Sequence, residues 1–99
     1  MFATIRRYQG QPGHTEEVLR RVQLGLIPML TIQRGFVSYY AIDAGDDVAL
    51  SVSIYADRAS AEAANQSVTS WVRMNLGDLV GPADVTLGEV RLSATSAPA

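Results

Sequence analysis

The chain predicts an α+β fold in the order β-α-β-β-α-β: a four-stranded antiparallel sheet with both helices on one face. Three observations carry this. The stretch from Phe36 to Asp57, FVSYYAIDAGDDVALSVSIYAD, reads as two strands joined by a turn at Ala44-Gly45-Asp46-Asp47. Apolar residues at helical spacing flank that hairpin on both sides. Alternating segments open and close the chain, FATIRRYQ at 2–9 and ADVTLGEVRL at 83–92.

The first strand places Phe2, Thr4, Arg6 and Tyr8 on one face and Ala3, Ile5 and Arg7 on the other. The turn residues Gln9-Gly10-Gln11-Pro12-Gly13 end it. A helix follows, with Thr15 as its cap and Glu16 and Glu17 in the first turn, where the helix dipole favours negative charge. Val18, Leu19, Val22, Leu26 and Leu30 form its buried stripe. Pro28 lacks an N–H and crowds the preceding turn, so the helix is expected to end or kink near Leu24 to Ile27, with one further turn through Met29 to Ile32. Asp57 is the expected N-cap of the second helix. Ala59, Ala63, Val68, Trp71, Val72 and Leu76 are its expected buried stripe, and Gly77 its left-handed terminus.

Ninety-nine residues make one domain, set at 1–92, with SATSAPA at 93–99 expected to be a disordered tail. The net charge of −2 gives no basic surface for nucleic acid or an anionic membrane. There is no cysteine, which excludes disulfides, thiolate nucleophiles and cysteine-held metal, and no histidine cluster offers another metal site. No apolar run has signal-peptide or membrane-spanning length, so a soluble cytoplasmic protein is expected.

The hairpin carries the strongest expectation about assembly. Val48, Leu50, Val52 and Ile54 make one strictly apolar row, assigned to the helix-covered face. Ser51, Ser53 and Tyr55 then fall on the opposite face, together with half of the second strand and apolar positions of the outer strands. A lone sheet leaves that face polar. Here it keeps enough apolar side chains that a second copy, related by a two-fold axis, is the expected cover. Whether Tyr39 or Tyr40 faces the helices stays open, because a slip of one residue exchanges them.

The first strand, the Leu26-Ile27-Pro28 break, the Arg34-Gly35-Phe36 entry into the second strand, and Asp57-Arg58 before an Ala-rich helix holding Trp71 together resemble the dimeric α+β barrel superfamily. That superfamily includes antibiotic-biosynthesis monooxygenases and small stress-response barrel proteins. The resemblance covers residues 2–92 and implies a ferredoxin-like protomer, a sheet-to-sheet homodimer and a cavity between sheet and helices. In its cofactor-independent monooxygenases an Asn and a Trp help bind a polycyclic phenol and position oxygen, which implies Asn65 and Trp71 here. The spacing of Trp71 with Val68 and Val72 favours a core anchor over a site residue. Haem-degrading relatives require an axial histidine on the second helix, and none lies there.

Among the remaining chemistry-bearing residues, His14 is the lone imidazole and a candidate general base, although it sits on a loop rim. Tyr8, Tyr39, Tyr40 and Tyr55 are candidates to line an aromatic or quinone-binding cavity, or else to fill a dimer interface. Arg6, Arg7 and Arg73 are candidate anion contacts. One of Arg6 and Arg7 must point into a layer, where a carboxylate such as Glu89 or Asp43 is the expected partner. Two functions stay open: a cofactor-free oxygenase of a small apolar or aromatic compound, or a non-catalytic dimeric stress-response or ligand-sequestering protein.

Overall fold

The computed structural model describes residues 1–96. The elements follow the predicted order: β1 (Phe2–Gln9), α1 (Thr15–Arg21), a π-helical stretch (Val22–Leu26), α2 (Ile27–Thr31), β2 (Phe36–Asp43), β3 (Val48–Tyr55), α3 (Arg58–Leu76) and β4 (Asp84–Glu89). The four strands pair antiparallel in the order β2-β3-β1-β4, with the helices over one face. β4 is shorter than the expected 83–92, and residues 93–96 carry no secondary structure. The rest of the expected tail, 97–99, lies outside the described residues.

Pro28 does not end the first helical run. The ladder widens into the π-helical stretch just before it, and the run continues through α2 past the missing N–H of Pro28. Val18, Val22, Leu26 and Leu30, spaced by four, therefore stay buried on one side of a continuous run. His14, not Thr15, occupies the N-cap; its side chain makes no capping bond, and its carbonyl accepts the Val18 N–H at 3.0 Å.

At α3 the cap is as expected: the Asp57 carboxylate accepts the Ser60 N–H at 2.8 Å, which holds its pKa below the ordinary value. The buried stripe is Ala61, Ala64, Val68, Val72 and Leu76. Ala59 and Ala63 face solvent, a correction to the expected phase. Gly77 is right-handed at φ −61°, also against expectation. The chain leaves α3 through a turn in which the N–H groups of Leu79 and Val80 bond the Leu76 carbonyl, and this brings both side chains into the core.

The sheet is reversed from the expected orientation. Ser51, Ser53 and Tyr55 lie under the helices with Thr4, Arg6 and Tyr8; Ser51 pairs with Arg6 and Ser53 with Thr4 across β1 and β3. Val48, Leu50, Val52 and Ile54 lie on the open face, level with Ala3, Ile5 and Arg7. Alternation separates two faces and does not say which one the helices cover. The helices bring the apolar bulk here, and small strand residues let them approach.

A β-bulge at Val37 settles the tyrosine ambiguity. It leaves Phe36 opposite Tyr55 and Tyr39 opposite Ser53 on the covered face, while Tyr40 opposes Val52 on the open face and is exposed. The Phe36 and Tyr55 rings meet edge to face with centroids 6.0 Å apart. Entry into β2 depends on Gly35, which has φ +78° and where a Cβ would collide with the Ser60 hydroxyl.

Candidate functional site

The covered face of β1 supplies the central group. Arg6 is 3% exposed, and its guanidinium reaches from the sheet to α3. Nη1 donates to the Tyr8 hydroxyl at 3.1 Å. Nη2 donates to the Asn65 carbonyl at 3.1 Å, to the Asn65 side-chain oxygen, and to the Thr69 hydroxyl at 2.9 Å. Asn65 and Thr69 are four apart on α3 and so share one helix face over the strand. All these acceptors are neutral. Among the described residues no carboxylate forms an ion pair with Arg6, so neither Glu89 nor Asp43 fills the expected role.

Two volumes meet at Arg6. A narrow cavity of about 30 Å³ between helices and sheet, walled by Tyr39, Ser51, Val22 and Val72 among others, holds about one water. A wider crevice of about 440 Å³ opens on the β4 side, between α3 and residues 80–83, with Arg6 and Tyr8 as its polar floor and Thr69 and Arg73 on its wall. This is the size range of small-molecule sites. A groove of about 460 Å³ lies elsewhere along α3, beside Gln33, Arg34 and Asp57. It gathers no buried charge, since Arg34 and Asp57 are both exposed.

The residues singled out from the sequence separate into three groups. Tyr8 and Asn65 join at Arg6. Tyr39 lines the narrow cavity, and burial pushes its phenol up to about 12. Tyr55 is fully buried against Phe36, and its pKa is likewise raised by burial. Tyr40, Trp71 and His14 stand apart. Tyr40 is on the open face. Trp71 lies against the π-helical stretch, where a Cβ on Gly25 would come 2.7 Å from the indole, so it acts as a packing anchor between helices. His14 is exposed before α1. Arg73 is exposed yet lines the crevice, and Arg7 is exposed on the opposite face. Sequence reasoning missed Thr69; the signal available was its spacing of four from Asn65.

Two further features bear on the site. The hydroxyl of Thr4, next to Arg6 on the covered face, is buried without a hydrogen-bond partner. No helix is long and apolar enough to cross a membrane, and no group of three or more metal-ligating side chains occurs among the described residues.

Residues 1–70 match a family model described as antibiotic biosynthesis monooxygenase. The match includes Arg6, Tyr8, Asn65 and Thr69 and stops one residue short of Trp71. No curated protein matches the chain. Among solved structures, a protein of unknown function from Nitrosomonas europaea, NE2512, is 19% identical over 98% of this chain and 95% of its own, with a TM-score of 0.79. SnoaB, a cofactor-independent oxygenase from Streptomyces nogalater, is 17% identical over 96% and 97%, with a TM-score of 0.71. Rv0793 from Mycobacterium tuberculosis is 21% identical over 95% and 98%, with a TM-score of 0.74. At these identities the likeness is one of fold.

Proposed function

The chain belongs to the antibiotic biosynthesis monooxygenase family, and on that premise we propose that it binds and oxidises a small aromatic compound of the phenol or anthrone type in the crevice beneath α3, without a cofactor. The observation that carries this is a polar cluster built on the buried Arg6: Arg6, Tyr8 and Thr69 line a crevice of about 440 Å³ whose other walls are largely apolar, and Asn65 holds the guanidinium from behind. Few polar groups on an apolar wall orient a flat ligand.

In such a reaction the substrate's own carbanion supplies the electrons. A ring methylene becomes a carbonyl, one oxygen atom of O₂ enters that carbonyl, and the other leaves as water with the two methylene protons. The protein contributes positioning and a place for charge. Tyr8 and Thr69 orient the ligand's oxygens, Asn65 fixes the Arg6 guanidinium beside them, and Tyr39 lines the adjoining narrow cavity. Trp71 holds α3 against the helical run and acts on the site through position.

The same proposal places a second copy over the open sheet face. Ile5, Tyr40, Ile42 and Val85 are large apolar side chains left exposed in one protomer. Ile5, Tyr40 and Ile42 lie on the open face with Leu50, Val52 and Ile54. Covering such side chains contributes about 1.5–3 kcal/mol each when complete.

One observation favours the non-catalytic alternative. Tyr39 remains a neutral phenol up to about 12, and neither a carboxylate nor a histidine lines the crevice. A protein that sequesters an aromatic compound needs no proton acceptor. Oxygen uptake with dithranol, an anthrone, separates the two. Uptake above the uncatalysed rate, lost when Ala83→Trp fills the crevice, supports the oxygenase. Binding without faster uptake supports sequestration. If dithranol neither binds nor reacts faster, the crevice is not a site for this class.

A further inference from the structure

We propose that the crevice takes its ligand as an oxyanion, a phenolate or enolate, and that Arg6 selects this ionised form and so replaces a protein base. This deepens the function proposed above and rests on the crevice being the ligand site.

The chain has ten carboxylates and a net charge of −2, yet none of them pairs with its most buried cation. A buried guanidinium without a counter-ion is costly, and neutral acceptors satisfy its N–H groups without offsetting its charge. The protein gives Nη1 one acceptor and Nη2 three, while Nε has none among the described residues. Nη2 is fully engaged, so the donors left for an oxyanion are Nε–H and the second hydrogen of Nη1, each as a single charge-assisted bond. The crevice reinforces this, since its charged lining is Arg6 and Arg73 alone.

The groups that face Arg6 from its neighbouring elements include no carboxylate. On β2 and β3 these are Tyr39 and Tyr55, both with pKa values raised by burial. On β1 it is Tyr8, and on α3 they are Asn65, Thr69 and, across the crevice, Arg73. The helical run before β2 contributes apolar side chains such as Val18 and Val22. A phenol bound against Arg6 releases its proton to water, and the resulting oxyanion is held by the guanidinium. Its pKa falls, as for an acid beside a fixed cation.

The probe is 4-nitrophenol, whose phenolate is yellow, with 4-nitroanisole as a neutral analogue that cannot ionise. On wild-type protein the bound phenol should ionise about one pH unit or more lower than in buffer, and the phenolate should bind roughly tenfold or more tightly than the anisole. Arg6→Gln should abolish both effects while still binding the anisole, and Arg6→Lys should retain part of the shift. Binding of both compounds without a pKa shift or preference overturns the proposal and leaves the crevice as a site. Failure of both to bind wild type, or binding that Ala83→Trp leaves intact, removes the crevice as the site and the proposal with it. The wild-type comparison decides even if a variant at Arg6 fails to fold.

Discussion

The two faces of the sheet invert the usual division of labour. The covered face, which ordinarily carries the apolar core, presents Thr4, Arg6, Ser51 and Ser53 to the helices, all buried. The open face, ordinarily polar in a single-layer sheet, presents Ile5, Leu50, Val52 and Ile54. Core apolar bulk comes instead from the helices, through Val18, Val22, Leu26, Leu30, Val68 and Val72. Polar residues set among Phe2, Tyr8, Phe36, Tyr39 and Tyr55 on the inner face, with aliphatic ones on the outer face, make sense if the inner face serves a ligand and the outer face another surface. The contrast teaches that strand alternation separates two chemistries without assigning the apolar one to the covered side.

The largest expected effect tests the open face. Val52 sits at its centre, opposite both Ile5 and Tyr40. Val52→Asp would place one carboxylate per subunit in a dry interface, where the effective cost is several kcal/mol per ion. Sedimentation analysis should show wild-type dimers and mutant monomers at micromolar concentration. A wild-type monomer, or a mutant that stays dimeric, would remove the sheet-to-sheet association from the account.

Arg6→Met tests the inner face. If the guanidinium is kept for a ligand and not for the fold, an apolar side chain of similar length should cost no more than about 1–2 kcal/mol for the hydrogen bonds it removes, and should lose oxyanion binding. Urea unfolding measures the first effect. A loss of several kcal/mol would instead make Arg6 a structural cross-link between β1 and α3.

Thr4→Val is the smallest change and addresses the same face. The Thr4 hydroxyl is buried without a partner, so replacing it by a methyl group should raise stability by about 1 kcal/mol. A destabilised variant would mean that the hydroxyl is satisfied in solution, and the polar character of the inner face would then be ordinary.

Much of the fold was legible along the chain because its signals are local. The hairpin turn, the Asp57 cap and the alternation of β1 each depend on residues within a few positions, and each is found in the structure. The site was legible only in pieces. Tyr8, Tyr39 and Asn65 are legible by residue type, and the alternation of β1 shows that Arg6 or Arg7 needs a partner inside a layer. The partner itself was misassigned to Glu89 or Asp43, because 59 residues separate Arg6 from Asn65 and no spacing rule connects them. Trp71 drew attention as an aromatic on the right helix, but its position six residues from Asn65 turns it toward Gly25.

By itself, the sequence determined the order of the elements, the separation of each strand into two chemically distinct faces, and an excess of apolar surface that one layer of helices does not cover. These follow from backbone periodicity and from composition, which need no tertiary contact. Only the tertiary structure decided which face the helices cover, which hairpin tyrosine points inward, and which groups surround Arg6. Period-two alternation is symmetric with respect to the two faces, and the symmetry is broken by what packs against them: a bulge at Val37 and the phase of α3 behind its Asp57 cap. The bulge turns Tyr39 inward, and the phase of α3 brings its Asn65 and Thr69 over Arg6 and Tyr8 of β1.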